Sequence, residues 1–178
     1  KTIIFLRSYI NSLESLNYLE TRGRDSASLS LNFLSEEKIN FPATTRFNNL
    51  KLSFFQKKIN NNFLSNLTIK YANQIGYSGE NIEKLDEIFF SVKFISKLDF
   101  KKILSFYIVG HTRWASVGEV SLSNCHPLIN NYKNENAYFY MNGDILNHDK
   151  LISKSNKNKK NILSEKNCKN DLGHLPIL

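Results

Sequence analysis

Cysteine is scarce in this chain, with only Cys125 and Cys168 among 178 residues. Their spacing fits no metal-binding or redox motif, and two thiols in a chain this long point to a reducing compartment. Long apolar runs are also missing, so no segment reads as a membrane-spanning helix. The opening Lys1-Thr2-Ile3-Ile4 is not a signal peptide. No internal repeat is visible. These absences lead to the expectation of a cytoplasmic protein without membrane contact. The chain opens on lysine and closes on the apolar Leu175-Pro176-Ile177-Leu178, so both ends read as cuts through a longer protein. Acidic residues are outnumbered, 16 against 24 Lys and Arg, for a formal charge of +8. The lysines are scattered among asparagines and form no basic stripe, so the surplus reads as solvated surface, the run from Lys154 to Asn161 included. A basic nucleic-acid-binding domain is the weakest of the functional readings, and no nucleic-acid partner is expected.

Hydrophobic residues make up 41% of the chain, enough for one domain with a sizeable core. Ile3, Leu6, Ile10, Leu13 and Leu16 are spaced as on an amphipathic helix, which Gly23 ends. Ala27, Leu29, Leu31 and Phe33 alternate with Ser28, Ser30 and Asn32, the pattern of a half-buried strand. Residues 35–65 are polar and read as a long excursion. Leu67, Ile69 and Tyr71 suggest a short strand. Ile82, Leu85, Phe89, Val92 and Ile95 suggest a second helix after Gly79. Phe106 to Val109 and Ala137 to Met141 read as buried strands, with a short helix through Ile145, Leu146 and Leu151. The class is α+β in one domain, with a largely antiparallel sheet.

Chemistry concentrates in three short segments. The first is Leu19-Glu20-Thr21-Arg22-Gly23-Arg24-Asp25-Ser26-Ala27. The second runs from Gly110-His111-Thr112-Arg113-Trp114-Ala115-Ser116 to Asn124-Cys125-His126-Pro127. The third is Met141-Asn142-Gly143-Asp144-Ile145-Leu146-Asn147-His148. The second puts an arginine, a tryptophan, hydroxyls and histidines at the end of a strand, as a small polar ligand requires. It offers no evident nucleophile. Read residue by residue, Arg113 also suits a surface ion pair and Trp114 a core aromatic. Asn142-Gly143 suits a hairpin turn, Asp171 a helix N-cap, and His111, His126 and His148 hydrogen-bonded structural roles.

In this order the segments resemble the class II glutamine amidotransferase family, whose glutaminase domain is an N-terminal-nucleophile hydrolase. The closest likeness is to the branch that aminates sugar phosphates, the glutamine–fructose-6-phosphate aminotransferases. The resemblance implies a four-layer αββα sandwich with antiparallel sheets. Residues 1–178 would form a partial glutaminase domain lengthened by an insertion at about 35–105, with its first strand missing. It implies that Arg113 clamps the glutamine carboxylate through its planar fork, that Trp114 gates the site and that Ser116 contacts the ligand. Asp171 is the candidate for the glutamine ammonium. Asn142 and the Gly143 N–H would form the oxyanion hole, each donor contributing about 3 kcal/mol. Arg22, Gly23, Asp25, His111 and Thr112 would support the site. Val117 stands where some members have histidine.

The family's nucleophile is an N-terminal cysteine whose own α-amine serves as base. It precedes the helix with which this chain begins, and neither Cys125 nor Cys168 has a free α-amine. The fragment alone is therefore expected to be inactive. The expected partners are L-glutamine, a downstream sugar-phosphate isomerase domain and further copies of the chain in a homo-oligomer. No metal or organic cofactor is implied. The competing expectation is a degenerate module that binds glutamine, or regulates a partner, without catalysis.

Overall fold

The computed structural model describes residues 1–42, 44–47, 49–74, 77–115, 118–132, 135–143, 147 and 150. Its first element is helix α1, Thr2–Glu20, followed by strand β1, Ser26–Ser35. Strands β2 (Thr44–Phe47), β3 (Leu50–Ile59) and β4 (Asn62–Tyr71) come next. Helix α2 spans Glu80–Ser91, and a single tight turn covers Ile95–Lys97. Strands β5 (Ile103–Arg113), β6 (Leu128–Tyr132) and β7 (Glu135–Phe139) complete the described elements.

Five strands form one antiparallel sheet in the order β2-β3-β4-β1-β5, and β6 and β7 pair as a separate antiparallel hairpin. The protein is therefore α+β, as the alternating patterns predict. Residues 35–65 differ from expectation. The segment read as an excursion carries β2 and β3 and begins β4, which extends the short strand expected at Leu67–Tyr71 to ten residues. A two-residue turn joins β3 to β4, with Asn60 at φ 54°. Asparagine tolerates that left-handed conformation better than other non-glycine residues.

Both helices lie on one face of this sheet. Phe5, Tyr9 and Leu16 of α1 and Ile82, Leu85 and Phe89 of α2 are buried in one core with Ala27, Leu29, Leu31 and Phe33 of β1 and Leu67 and Ile69 of β4. Phe5 packs on Phe33, Phe100 and Phe106, and the Tyr9 ring stacks on Phe89 at 4.2 Å. Such aromatic pairs add to the free energy of area burial. The Tyr9 hydroxyl donates to Asp86 Oδ1 at 2.9 Å, which links the two helices. Gly110 on β5 lets α1 approach, because a Cβ there would meet Leu16 Cδ2 at 2.8 Å.

Along β1 and β4 the opposite face of the sheet is polar and also buried. Ser26, Ser28, Ser30 and Asn32 of β1 and Asn66, Thr68 and Lys70 of β4 are all shielded from solvent. The half-buried reading of β1 is thus corrected: residues of both faces are interior. A chain of hydrogen bonds crosses the two strands. Thr68 Oγ1 meets Ser30 Oγ and donates to Asn66 Oδ1, and Asn66 Nδ2 donates to Asn32 Oδ1, each at 2.8 Å. The segment from Leu122 to Tyr140, which includes β6–β7, covers this face. Cys125 Sγ donates to Ala27 O at 3.6 Å, and Tyr140 is hydrogen-bonded to Ser30. A cavity of about 350 Å³ separates β3 from the hairpin, lined by Lys51, Ser53, Phe55, Ile129, Asn136 and Tyr138. The order is helices, sheet, hairpin.

Candidate functional site

The polar face ends where β1 begins and β5 ends, and there the sequence segments meet. Gly23 stops α1, with Arg22 N–H donating to Leu19 O at 2.8 Å and Gly23 N–H to Glu20 O at 3.1 Å. A Cβ at Gly23 would lie 2.9 Å from Arg113 N and from Thr112 C, so only glycine allows the α1–β1 turn to sit against the end of β5. Asp25 then staples the two segments. Its N–H donates to Arg113 O at 3.0 Å, and its Oδ2 accepts from Ala115 N–H at 2.6 Å. That gives Asp25 a duty that sequence motifs do not reveal: it fixes the backbone on both sides of Trp114.

Arg113 is 7% exposed and lies across from Ser26 on the polar face. Its Nη1 donates to Glu119 O at 3.4 Å. Asn124, fully buried, donates its Nδ2 to the same carbonyl at 2.9 Å, which ties the 119–126 loop beside the arginine. Thr112 Oγ1 donates to Leu19 O at 3.4 Å, closing β5 onto the end of α1. Trp114 is 64% exposed and Arg22 is exposed, both on the outer side of this turn. Ser116, Asp171, Val117, His148 and Cys168 lie outside the described residues, as do the helix expected through Ile145–Leu151 and the loop at Lys154–Asn161.

Asn142 and Gly143 follow Met141, two residues after β7 ends, and both are exposed. They are not the turn of the β6–β7 hairpin, whose strands pair with Tyr132 opposite Glu135 at their near end. Gly143 takes a φ of +138°, a backbone conformation that L side chains rarely adopt. The contact that draws this segment to the others runs through two histidines. His111 Nε2 lies 3.1 Å from Met141 O and 3.2 Å from His126 Nδ1. Met141 N–H donates to His126 Nδ1 at 3.3 Å.

Burial holds both rings neutral. His111 is shifted below the ordinary histidine range by burial, with Arg113 adding to the effect. His126 is pushed down to about 3 by burial first, then by His111, Arg113 and Lys70. Both rings are engaged in hydrogen-bonding contacts within the protein. Lys70 is the residue that sequence reasoning passed over. It is fully buried across from Ser28, and nothing in its neighbourhood along the chain distinguishes it from the solvated lysines.

Cys125 is buried, and its thiol donates to main-chain oxygens, so it does not face a ligand. Among the described residues no group of three or more His, Cys, Asp or Glu side chains could hold a metal ion. Among them, too, no helix is long and apolar enough to cross a membrane. The site thus offers a buried guanidinium, neutral imidazoles, hydroxyls and backbone donors. Groups of this kind suit an anionic, hydrogen-bonding molecule. No protein-family model, characterised protein or solved structure matches this chain.

Proposed function

We propose that this chain is the glutaminase half of a glutamine-dependent amidotransferase, in an N-terminal-nucleophile hydrolase fold. It would release ammonia from L-glutamine for transfer to a sugar phosphate, with fructose 6-phosphate as the acceptor, in a downstream isomerase domain. One observation carries the reading. The segments around Gly23–Asp25, His111–Ala115, Asn124–His126 and Met141–Gly143 are far apart in sequence yet bonded to one another at one end of the sheet. In this reading Arg113 clamps the α-carboxylate of glutamine in two parallel hydrogen bonds. Asn142 Nδ2 and Gly143 N–H stabilise the oxyanion that forms when a thiolate attacks the side-chain amide carbon. The C–N bond then breaks, ammonia leaves with a proton delivered by the nucleophile's own amine, and water releases glutamate from the thioester. In this reading Trp114, exposed beside Arg113, folds over the bound ligand. The nucleophile, on the same reading, is an N-terminal cysteine with a free α-amine, a part that neither Cys125 nor Cys168 takes.

Arg113→Ala in the full-length protein tests this. Loss of a charge-assisted pair should raise the KM for glutamine by about 10- to 100-fold. Measured ammonia release with an unaltered KM would remove Arg113 from the site and the reading with it. A second reading, a non-catalytic glutamine-binding module, is favoured by the burial of Cys125. Saturable glutamine binding by the full-length protein without ammonia release would select it.

A further inference from the structure

The three contacts among His111, His126 and Met141 fix the hydrogens of both rings. A backbone N–H can only donate, so His126 Nδ1 must present a lone pair to Met141 N–H, 3.3 Å away. His111 Nε2 then faces two acceptors, Met141 O at 3.1 Å and His126 Nδ1 at 3.2 Å. Only a protonated Nε2 satisfies that position, by donating to both. His126 is therefore neutral with its hydrogen on Nε2, and His111 also carries a hydrogen on Nε2. Together they hold the N–H and the C=O of a single residue.

That residue is the last before Asn142 and Gly143. The Met141 carbonyl shares its peptide plane with the Asn142 N–H, so fixing one direction fixes the other. The β6–β7 ladder ends at Phe139 opposite Leu128 and exerts no hold further along the chain. Around Gly143 no atom lies within 4 Å of where a Cβ would stand, so crowding does not set its φ of +138°. The described anchor nearest in sequence is the histidine pair.

We infer that His111 and His126 are a positioning pair that sets the two peptide planes flanking Met141 and thereby fixes the entry into the Asn142–Gly143 segment that carries the donors. They act through Met141 and need not touch substrate. The inference rests on the glutaminase reading only for the task it gives Asn142 and Gly143. The sheet supplies rigidity, because His111 sits in the β1–β5 ladder opposite Ser28. The ring centroids lie 4.4 Å apart with the planes tilted by 38°, so the two imidazoles are in contact.

Crossed amide substitutions separate this role from simple packing. Asparagine places an acceptor near the histidine Nδ1 position, and glutamine places a donor near Nε2. His126→Asn and His111→Gln should therefore keep Met141 amide exchange within about threefold of the parent. His126→Gln and His111→Asn should speed that exchange about tenfold or more and shift the amide resonances of Asn142 and Gly143. Equal acceleration in all four variants would reduce the pair to packing and overturn the inference. Unmoved Asn142 and Gly143 resonances in the mismatched variants would also overturn it. Should any variant fail to fold, imidazole nitrogen spectra of the parent protein decide alone. An Nε2–H tautomer in both rings supports the pair, and an Nδ1–H tautomer of His126 sinks it. None of these readouts needs glutamine, so failure of the glutaminase reading would show separately, as absent ammonia release.

Discussion

The two faces of strand β1 are buried to the same degree by opposite means. Towards the helices, β1 presents Ala27, Leu29, Leu31 and Phe33; towards the hairpin it presents Ser26, Ser28, Ser30 and Asn32. The first face holds the fold together by removing apolar surface from water. The second contributes less per residue, because each buried hydroxyl or amide only exchanges a hydrogen bond with water for one inside. A buried polar face is worth keeping where polar groups must be held in fixed directions, and here it leads to Arg113, His111 and His126. The comparison teaches a division of labour across one strand: stability on odd positions, direction on even ones. It breaks first on the helix side. Phe33→Ala removes a fully enclosed ring packed on Phe5 and Phe94, and should cost about 3–5 kcal/mol in denaturant unfolding. A loss under about 1 kcal/mol would mean that the helices do not seal this face.

Acid should attack the other face. His126 is buried near His111, Arg113 and Lys70, and its folded-state pKa of about 3 lies below the unfolded value of about 6.5. The unfolded chain therefore takes up the proton first. Stability from this group is complete above about pH 6.5 and falls as the pH drops towards 3, by about 1.4 kcal/mol per unit. His111, shifted in the same direction, adds to the slope. Urea unfolding of the parent and of His126→Asn at pH 7 and pH 5 isolates the effect. The variant should lose less stability over that interval, and parallel losses would show that His126 is not held neutral by the fold.

Legibility in the sequence follows the same division. Apolar periodicity is a property of neighbours in the chain, so α1, α2 and the apolar side of β1 could be read directly. The hairpin of β3 and β4 was hidden for a compositional reason. Its turn is Asn60-Asn61, and asparagine is so abundant here that a turn signal looked like background. The polar side of β1 misled because alternating serines are the signature of a wet face, and only the fold shows that a hairpin covers them. The site divides likewise. Gly23, Asp25, Arg113 and the Asn142–Gly143 pair stand out as motif residues. The contact of His111 with His126, and the burial of Lys70, come from strands and loops that meet only in three dimensions.

The smallest expected effect tests the idea of direction most closely, because it separates the hydroxyls on the polar face from one another. Ser30 Oγ is bonded to Thr68 Oγ1, whereas Ser28 Oγ, one pleat nearer the site, is buried without a hydrogen-bond partner among the described residues. An unpartnered buried hydroxyl costs free energy. If burial alone mattered, Ser28→Ala should leave stability unchanged or raise it by about 0.5–1 kcal/mol, since alanine fills nearly the same volume without the polar atom. Ser28 lies directly across from His111 on one side and Lys70 on the other. On the glutaminase reading, a hydroxyl retained there at a cost to the fold serves the ligand. Ser28→Ala should therefore gain slightly in thermal stability while weakening glutamine binding by a few-fold, about 0.5–1 kcal/mol. The two measurements must move in opposite directions. A variant that loses stability, or binds glutamine as the parent does, would place Ser28 with Ser30 as a purely structural hydroxyl and shrink the directed part of the face to Arg113 and the histidine pair.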